Sequence, residues 1–249
     1  MSQNRHIVAH GIVLRTYTFR EIDRNFVLIS PELGIIRATA YGACKVKSRF
    51  CATVQPFVSA TFNFYYNPQD QSYKLEDIAE ADTHDELRAD IRLLYLVSFY
   101  CDLIQNTFIA PEDFKSYYYM LVYSLEILSP QGVLNKSFLF FAAKFLFLNG
   151  TLNISEGCCV CGKNDETYYY DTSRAGLVCH NCAAVKRYPL SRISSKLFGI
   201  FLTGRYTSLR ELDIPPECFG QLYGLLLSLI KVMFDKPLKT EENLKYVFG

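Results

Sequence analysis

Two Cys-x-x-Cys pairs, Cys158/Cys161 and Cys179/Cys182, stand with seventeen residues between them and constrain this chain more than any other stretch. Each pair brings two thiolates to one face of a tight turn, and Gly162 after the first pair suits such a knuckle because glycine accepts positive φ. Two such knuckles facing one another form a closed tetrahedral set of four sulfurs. That is the arrangement zinc prefers, with metal–sulfur distances of about 2.3 Å. Cys159 and His180 sit inside the knuckles as substitute ligands, but the two-residue spacing favours the four cysteines. Ordinary core or redox cysteines are the alternative. A redox role lacks the βαβ context it needs. A full thiolate shell has no open position, so the expected zinc is structural and not catalytic.

Ahead of the knuckles the chain changes character once. Residues 6–80 read as β structure: 7–14, 26–29 and 35–41 are rich in β-branched residues. Ser30-Pro31-Glu32-Leu33-Gly34 turns the second into the third. The stretch 57–66 alternates in part, Asn67-Pro68-Gln69-Asp70 turns again, and 73–78 completes five strands. Five short strands in about 75 residues suit a small barrel of the OB type. From residue 82 the apolar period is helical. Thr83 and Glu86 have capping-box spacing and predict one helix over about 84–106. Further helices are expected near 112–128, stopping before Pro130, and near 134–148, 191–203 and 215–235. The third is apolar almost all round and belongs inside a bundle. The fold class is therefore α+β: an OB-fold barrel over 1–81 and a helical domain over 82–249, with a four-cysteine zinc insert at 157–183.

Overall charge is close to neutral, at +1, and by itself points to no anionic partner. Its distribution says more. Residues 1–60 hold eight Lys/Arg against three acids, while the other 189 residues hold 18 basic and 22 acidic. Within the first part, residues 37–50 carry four cations and no acid. In an extended loop Lys45, Lys47 and Arg49 would point the same way and follow successive phosphates, and Tyr41 and Phe50 would stack bases. A solvated loop with two half-buried rings is the bland alternative. For Arg15, Arg20 and Arg24 that alternative is stronger, because Glu21 and Asp23 can pair with them. The longest apolar runs, 138–148 and 222–234, are too short or interrupted to span a bilayer. Nine cysteines, four at metal spacing, and no signal-peptide pattern at the start lead to the expectation of a reducing cytoplasm.

Catalysis finds little footing. His84-Asp85-Glu86 matches the H-x-E half of a zinc deaminase, and Cys158-x-x-Cys161 its other half. However, Gly157 precedes Cys158 where proline is expected, the halves lie far apart, and the second knuckle would go unexplained. There is no Walker A sequence, no G-x-S-x-G and no H-E-x-x-H. No enzyme is expected.

Several features together resemble the RecO family of bacterial recombination mediators. They are Gly11-Ile-Val-Leu-Arg15, Leu33-Gly34-Ile35, Gly42-Ala43-Cys-Lys45-Val-Lys47-Ser48-Arg49-Phe50 and Val54-Gln55-Pro56-Phe57. Leu87-Arg88-Ala-Asp90, the apolar helix ending at Gly150, the four cysteines and Lys236-Pro237-Leu238-Lys239-Thr240 continue the series. Order and spacing carry the match over nearly the whole length. The resemblance implies binding of single- and double-stranded DNA, annealing of complementary strands and help in loading RecA onto gaps coated by single-strand binding protein. It implies RecR as main partner, RecF in some settings, and a cytoplasmic protein that joins the nucleoid during repair. Carried onto this sequence, the DNA contacts are Arg37, Lys45, Lys47 and Arg49, with Arg15 and Arg24 weaker. The acidic, Phe-ended tail of single-strand binding protein would dock in the helical domain, with Lys136 or Lys144 as its cation. The rival class is a zinc-stabilised protein-interaction scaffold with no direct DNA role.

Overall fold

The computed structural model of the chain describes residues 5–128, 133–153, 157–203, 209, 211–234 and 236–249. Two compact units emerge: the described residues of 1–119 with 242–247 and 249, and those of 120–241 with Phe248.

In the first unit, β1 (His6–Phe19), β2 (Asp23–Ser30), β3 (Gly34–Ala40), β4 (Ser59–Asn67) and β5 (Ser72–Asp82) close into one barrel in the order β1-β2-β3-β5-β4. This is the expected OB-type barrel, closed by pairing β1 with β4 and, in parallel, β3 with β5. β1 serves two partners. Residues 6–12 pair with β4, and residues 12–19 pair with β2 after a bulge between Val13 and Arg15. A strand that changes partner must bend sharply. Gly11 allows it, because a Cβ there would collide with the buried Leu28 side chain and crowd the Ile29 carbonyl. Alternation along β4 sends Ala60, Phe62 and Phe64 inward. Phe62 and Phe64 stack at 5.8 Å, and Phe26 meets Phe62 at 6.0 Å. Each such ring contributes about 1.5–3 kcal/mol on burial. The β2–β3 turn ends at Gly34 with φ +75, where a side chain would also run into the Phe114 ring.

The helix expected over 84–106 is two helices, α1 (Asp85–Ala89) and α2 (Ile91–Gln105). The Thr83/Glu86 capping box does not form. His84 is the residue before α1 and sits in left-handed backbone (φ 45, ψ 47), while the Thr83 hydroxyl bonds the Asp85 carboxylate. The working cap is Asp90, extended between the helices, whose Oδ1 accepts the Arg92 N–H at 2.8 Å. Local side-chain competition for the backbone explains the miss, since Asp82 already binds the His84 N–H.

α3 (Phe114–Leu128) follows a 3-10 turn at Pro111–Asp113. Pro130 lies outside the described residues. α4 (Leu134–Leu148) is buried over most of its length, as its all-round apolarity requires. It packs on α5 (Arg192–Thr203) and α6 (Pro216–Met233), with Phe138 5.0 Å from Tyr223. α6 stops at Met233, and Asp235 lies outside the described residues. Between α4 and α5 the structure adds a small sheet, β6 (Thr167–Asp171), β7 (Gly176–Cys179) and β8 (Leu190–Ser191), in the order β7-β6-β8. Ser191 then starts α5: its Oγ accepts the Ser194 N–H at 3.2 Å.

Candidate nucleic-acid interface and metal centre

The basic segment joins β3 to β4, and it is not extended. Successive tight turns wind it up: Lys45 N–H bonds Gly42 O, Ser48 N–H bonds Lys45 O, and Cys51 N–H bonds Ser48 O. The alternation of Lys45, Lys47 and Arg49 therefore does not line them up on one side. The reason is burial. Ala43, Phe50, Val54, Phe57 and Val58 are all buried, so the segment is folded onto the barrel core. Gly42, at φ +69, turns the chain out of β3.

Buried polar groups fix this segment from below. Asp23, 5% exposed, accepts the Gly42 N–H at 2.7 Å. Arg24 donates to the carbonyls of Cys51 (3.2 Å) and Val54 (2.7 Å), and Arg88 donates to that of Pro56 (2.8 Å). Arg24 thus supports the turns from below, and Asp23 serves the Gly42 amide. Sequence reasoning missed this use because a guanidinium under a coiled loop has the same local signature as one in solvent.

The remaining candidates divide sharply. Phe50 is 8% exposed, with the Arg49 guanidinium 4.8 Å above its ring, and it packs in the barrel core. Arg49 is further engaged with Asp77 at 3.1 Å and the Glu76 carbonyl. Tyr41 is 49% exposed, with Lys74 5.3 Å from its ring. Arg15, Arg37, Lys45 and Lys47 are exposed, and Val46 between the two lysines is 98% exposed.

In the second unit the sulfurs of Cys158, Cys161, Cys179 and Cys182 lie within 4.8 Å of one another, with Cys161 and Cys179 3.8 Å apart. Among the described residues this is the one cluster of His, Cys, Asp or Glu donors that can hold a metal ion. Both knuckles are built by the backbone. Gly162 (φ +71) returns its N–H to Cys158 O at 2.8 Å, and Cys182 and Ala183 N–H both bond Cys179 O. Burial works against ionising Cys158, but backbone N–H groups of Cys179, Cys161 and Val160 aimed at its sulfur bring it down to about 6. Cys182, hydrogen-bonded to the Cys179 and Cys161 thiols, is pushed up to about 12. Four sulfurs this close cannot all carry charge unless a cation enters. Cys159 points instead toward Gly176, and His180 is engaged with Tyr169 (3.5 Å) and Lys186 (2.7 Å). His84 of the deaminase half-motif bonds Ser59 Oγ at 3.1 Å and is not among the clustered donors.

With this geometry in place, family models decide the lineage. Residues 1–83 match the model described as Recombination protein O N terminal, and residues 88–242 match Recombination protein O C terminal. The chain belongs to the RecO family. It is similar to the DNA repair protein RecO of Caldanaerobacter subterraneus subsp. tengcongensis, 26% identical over 247 residues, covering 96% of this chain and 97% of that one. The RecO of a Thermoanaerobacter species is 26% identical over 242 residues (96% of each chain), and that of Clostridium novyi 26% over 249 residues (95% and 93%).

As a RecO chain, it was expected to offer Lys136 or Lys144 to an acidic tail. Lys136 is 8% exposed, and Lys144 donates to the Leu202 carbonyl at the end of α5. Burial also lowers the Lys144 pKa. Lys136 is buried and Lys144 half-buried and engaged with a carbonyl, because the helix that carries them is the core of its unit. No helix among the described residues is long and apolar enough to cross a membrane.

Proposed function

We propose that this RecO-family chain is a recombination mediator in DNA repair. It binds single- and double-stranded DNA, anneals complementary strands and, with RecR and in some settings RecF, helps load RecA on gaps coated by single-strand binding protein. Its work is binding and positioning, with no bond-making step. The observation that carries the reading is a family match over both halves of the chain, joined to an OB-type barrel with exposed cations. The named role of its relatives in DNA repair supports it, and the reading puts the protein in the cytoplasm, at the nucleoid during repair.

Arg37, Lys45 and Lys47 neutralise phosphates and Tyr41 stacks a base, while Arg15 adds charge and Arg49 contributes only if it leaves Asp77. Lowering repulsion between two strands lets complementary bases meet. Such contacts carry little base information and weaken steeply with salt. The tail of single-strand binding protein docks on the helical part of the chain, and its cation is sought among exposed lysines rather than Lys136 and Lys144. Zinc fills the cysteine cluster. A tetrahedron with bonds of about 2.3 Å has sulfur–sulfur edges of about 3.8 Å, matching the 3.8 Å between Cys161 and Cys179. Its role is to join two knuckles that the small sheet alone holds weakly.

The test is fluorescence anisotropy of a labelled single-stranded oligonucleotide over a salt series, with annealing of complementary strands followed in parallel. Affinity that falls with salt and annealing above the spontaneous rate are expected. Absence of binding at low salt would put the zinc-stabilised scaffold in front.

A further inference from the structure

The outside of the barrel carries a second polar row, apart from the basic turns. Strand register places Thr39, Lys74, Tyr65 and His6 side by side across β3, β5, β4 and β1. Their neighbours Ala38, Leu75 and Phe64 are buried, so the row faces outward. Two side chains extend it. Tyr41, in the turn just after β3, has its ring 5.3 Å from Lys74 Nζ, and Arg5 Nη1 donates to the Tyr65 hydroxyl at 2.9 Å. The His6 and Tyr65 rings meet edge-on at 5.7 Å. The Glu76 carboxylate lies beside the row, 2.8 Å from His6 Nδ1.

We infer that this row is a track for single-stranded DNA, with Tyr41 and Tyr65 as stacking platforms and Lys74 and Arg5 as phosphate contacts. The assignment rests on the DNA-binding reading above and gives it a path that the loop cations alone do not supply. Stacking platforms interleaved with cations are what sequence-tolerant binding of single strands needs. On the turns Phe50 is buried, which leaves Tyr41 as the exposed ring beside their cations. Here rings and cations come together from β4, β5 and the residues that flank β1 and β3. At about 4.8 Å per strand the row spans about 14 Å, the length of about four stacked nucleotides at 3.4 Å each. That is the low end of the roughly 4–16 nucleotides an OB barrel covers. Since the contacts are phosphates and ring faces, homopolymers of different base should bind alike.

The test uses the full-length chain and a labelled oligothymidylate of about 12 nucleotides, comparing Lys74→Gln, Tyr65→Leu, their double variant and Lys47→Gln across a salt series. The double variant is expected to bind about tenfold more weakly or worse. Lys74→Gln alone should flatten the log–log salt slope by about 0.7, the loss of one single-strand phosphate contact. Lys74→Gln alters one exposed side chain, so its slope decides the matter even if Tyr65→Leu lowers stability. Wild-type affinity and slope in Lys74→Gln, with a loss in Lys47→Gln, would overturn the track and leave DNA on the turns. A wild-type chain that fails to bind at low salt would end the DNA-binding reading and the track together.

Discussion

Asp23 Oδ1 receives the backbone N–H of Gly42 at 2.7 Å, tying the start of β2 to the turn that follows β3. Asp23 is buried, so this bond stands in place of solvent for both groups. Replacing Asp23 with Ala leaves the amide without its acceptor and should cost about 1–3 kcal/mol. Urea unfolding followed by circular dichroism measures it. A loss below a few tenths of a kcal/mol would mean that water replaces the carboxylate at no cost.

Arg24 gives a prediction that separates support from binding. Arg24→Ala removes the donor to Cys51 O and Val54 O and should lower the melting temperature, with the DNA salt slope unchanged. Arg24→Lys should recover only part of the stability, because one ammonium does not reproduce the guanidinium fork. A shallower slope in Arg24→Ala at wild-type stability would return Arg24 to the DNA surface.

Metal content is checked directly by zinc analysis of the purified chain, with one equivalent expected. Removing it with a strong chelator, or substituting Cys179→Ser, should lower stability by at least about 3 kcal/mol, or about 6–12 °C in melting temperature. Cys159→Ser, one residue from a ligand but turned away from the cluster, should keep the metal. Zinc loss in Cys159→Ser would reassign the ligand set.

The Asp90 cap predicts a pH dependence. Hydrogen bonds from the Arg92 side chain and backbone hold the Asp90 carboxyl below its ordinary value of 3.8. A lowered folded-state pKa means that the stabilisation is complete above the ordinary value and disappears as pH falls through the lower, folded one. Because the pair is partly exposed, Asp90→Ala should cost about 1 kcal/mol or less at neutral pH. The difference between the two proteins should vanish in the acid range below the carboxylate titration, as seen in melts at stepped pH. A gap that persists at the lowest pH would assign the effect to helix propensity instead.

Local chemistry made much of this protein legible in one dimension. Cysteine spacing selected the four residues that converge, since a Cys-x-x-Cys turn needs only its own backbone and Gly162. Strand alternation and the turn at 30–34 reached the barrel, because period-two burial is written along each strand. The helix-wide apolarity of α4 announced its central place. What the chain does with its cations was decided by tertiary structure. Arg24, Lys47 and Lys144 carry the same charge in sequence, yet one lies beneath a coiled loop, one faces solvent and one caps a helix of its own unit. Phe50 was a stacking ring by composition and a core ring by position, because the turns of 42–54 follow the apolar residues inward. Lys74 and Tyr65 gave no local signal at all. Only register across four strands makes neighbours of residues that are distant in the chain, and register is fixed by the closing of the barrel.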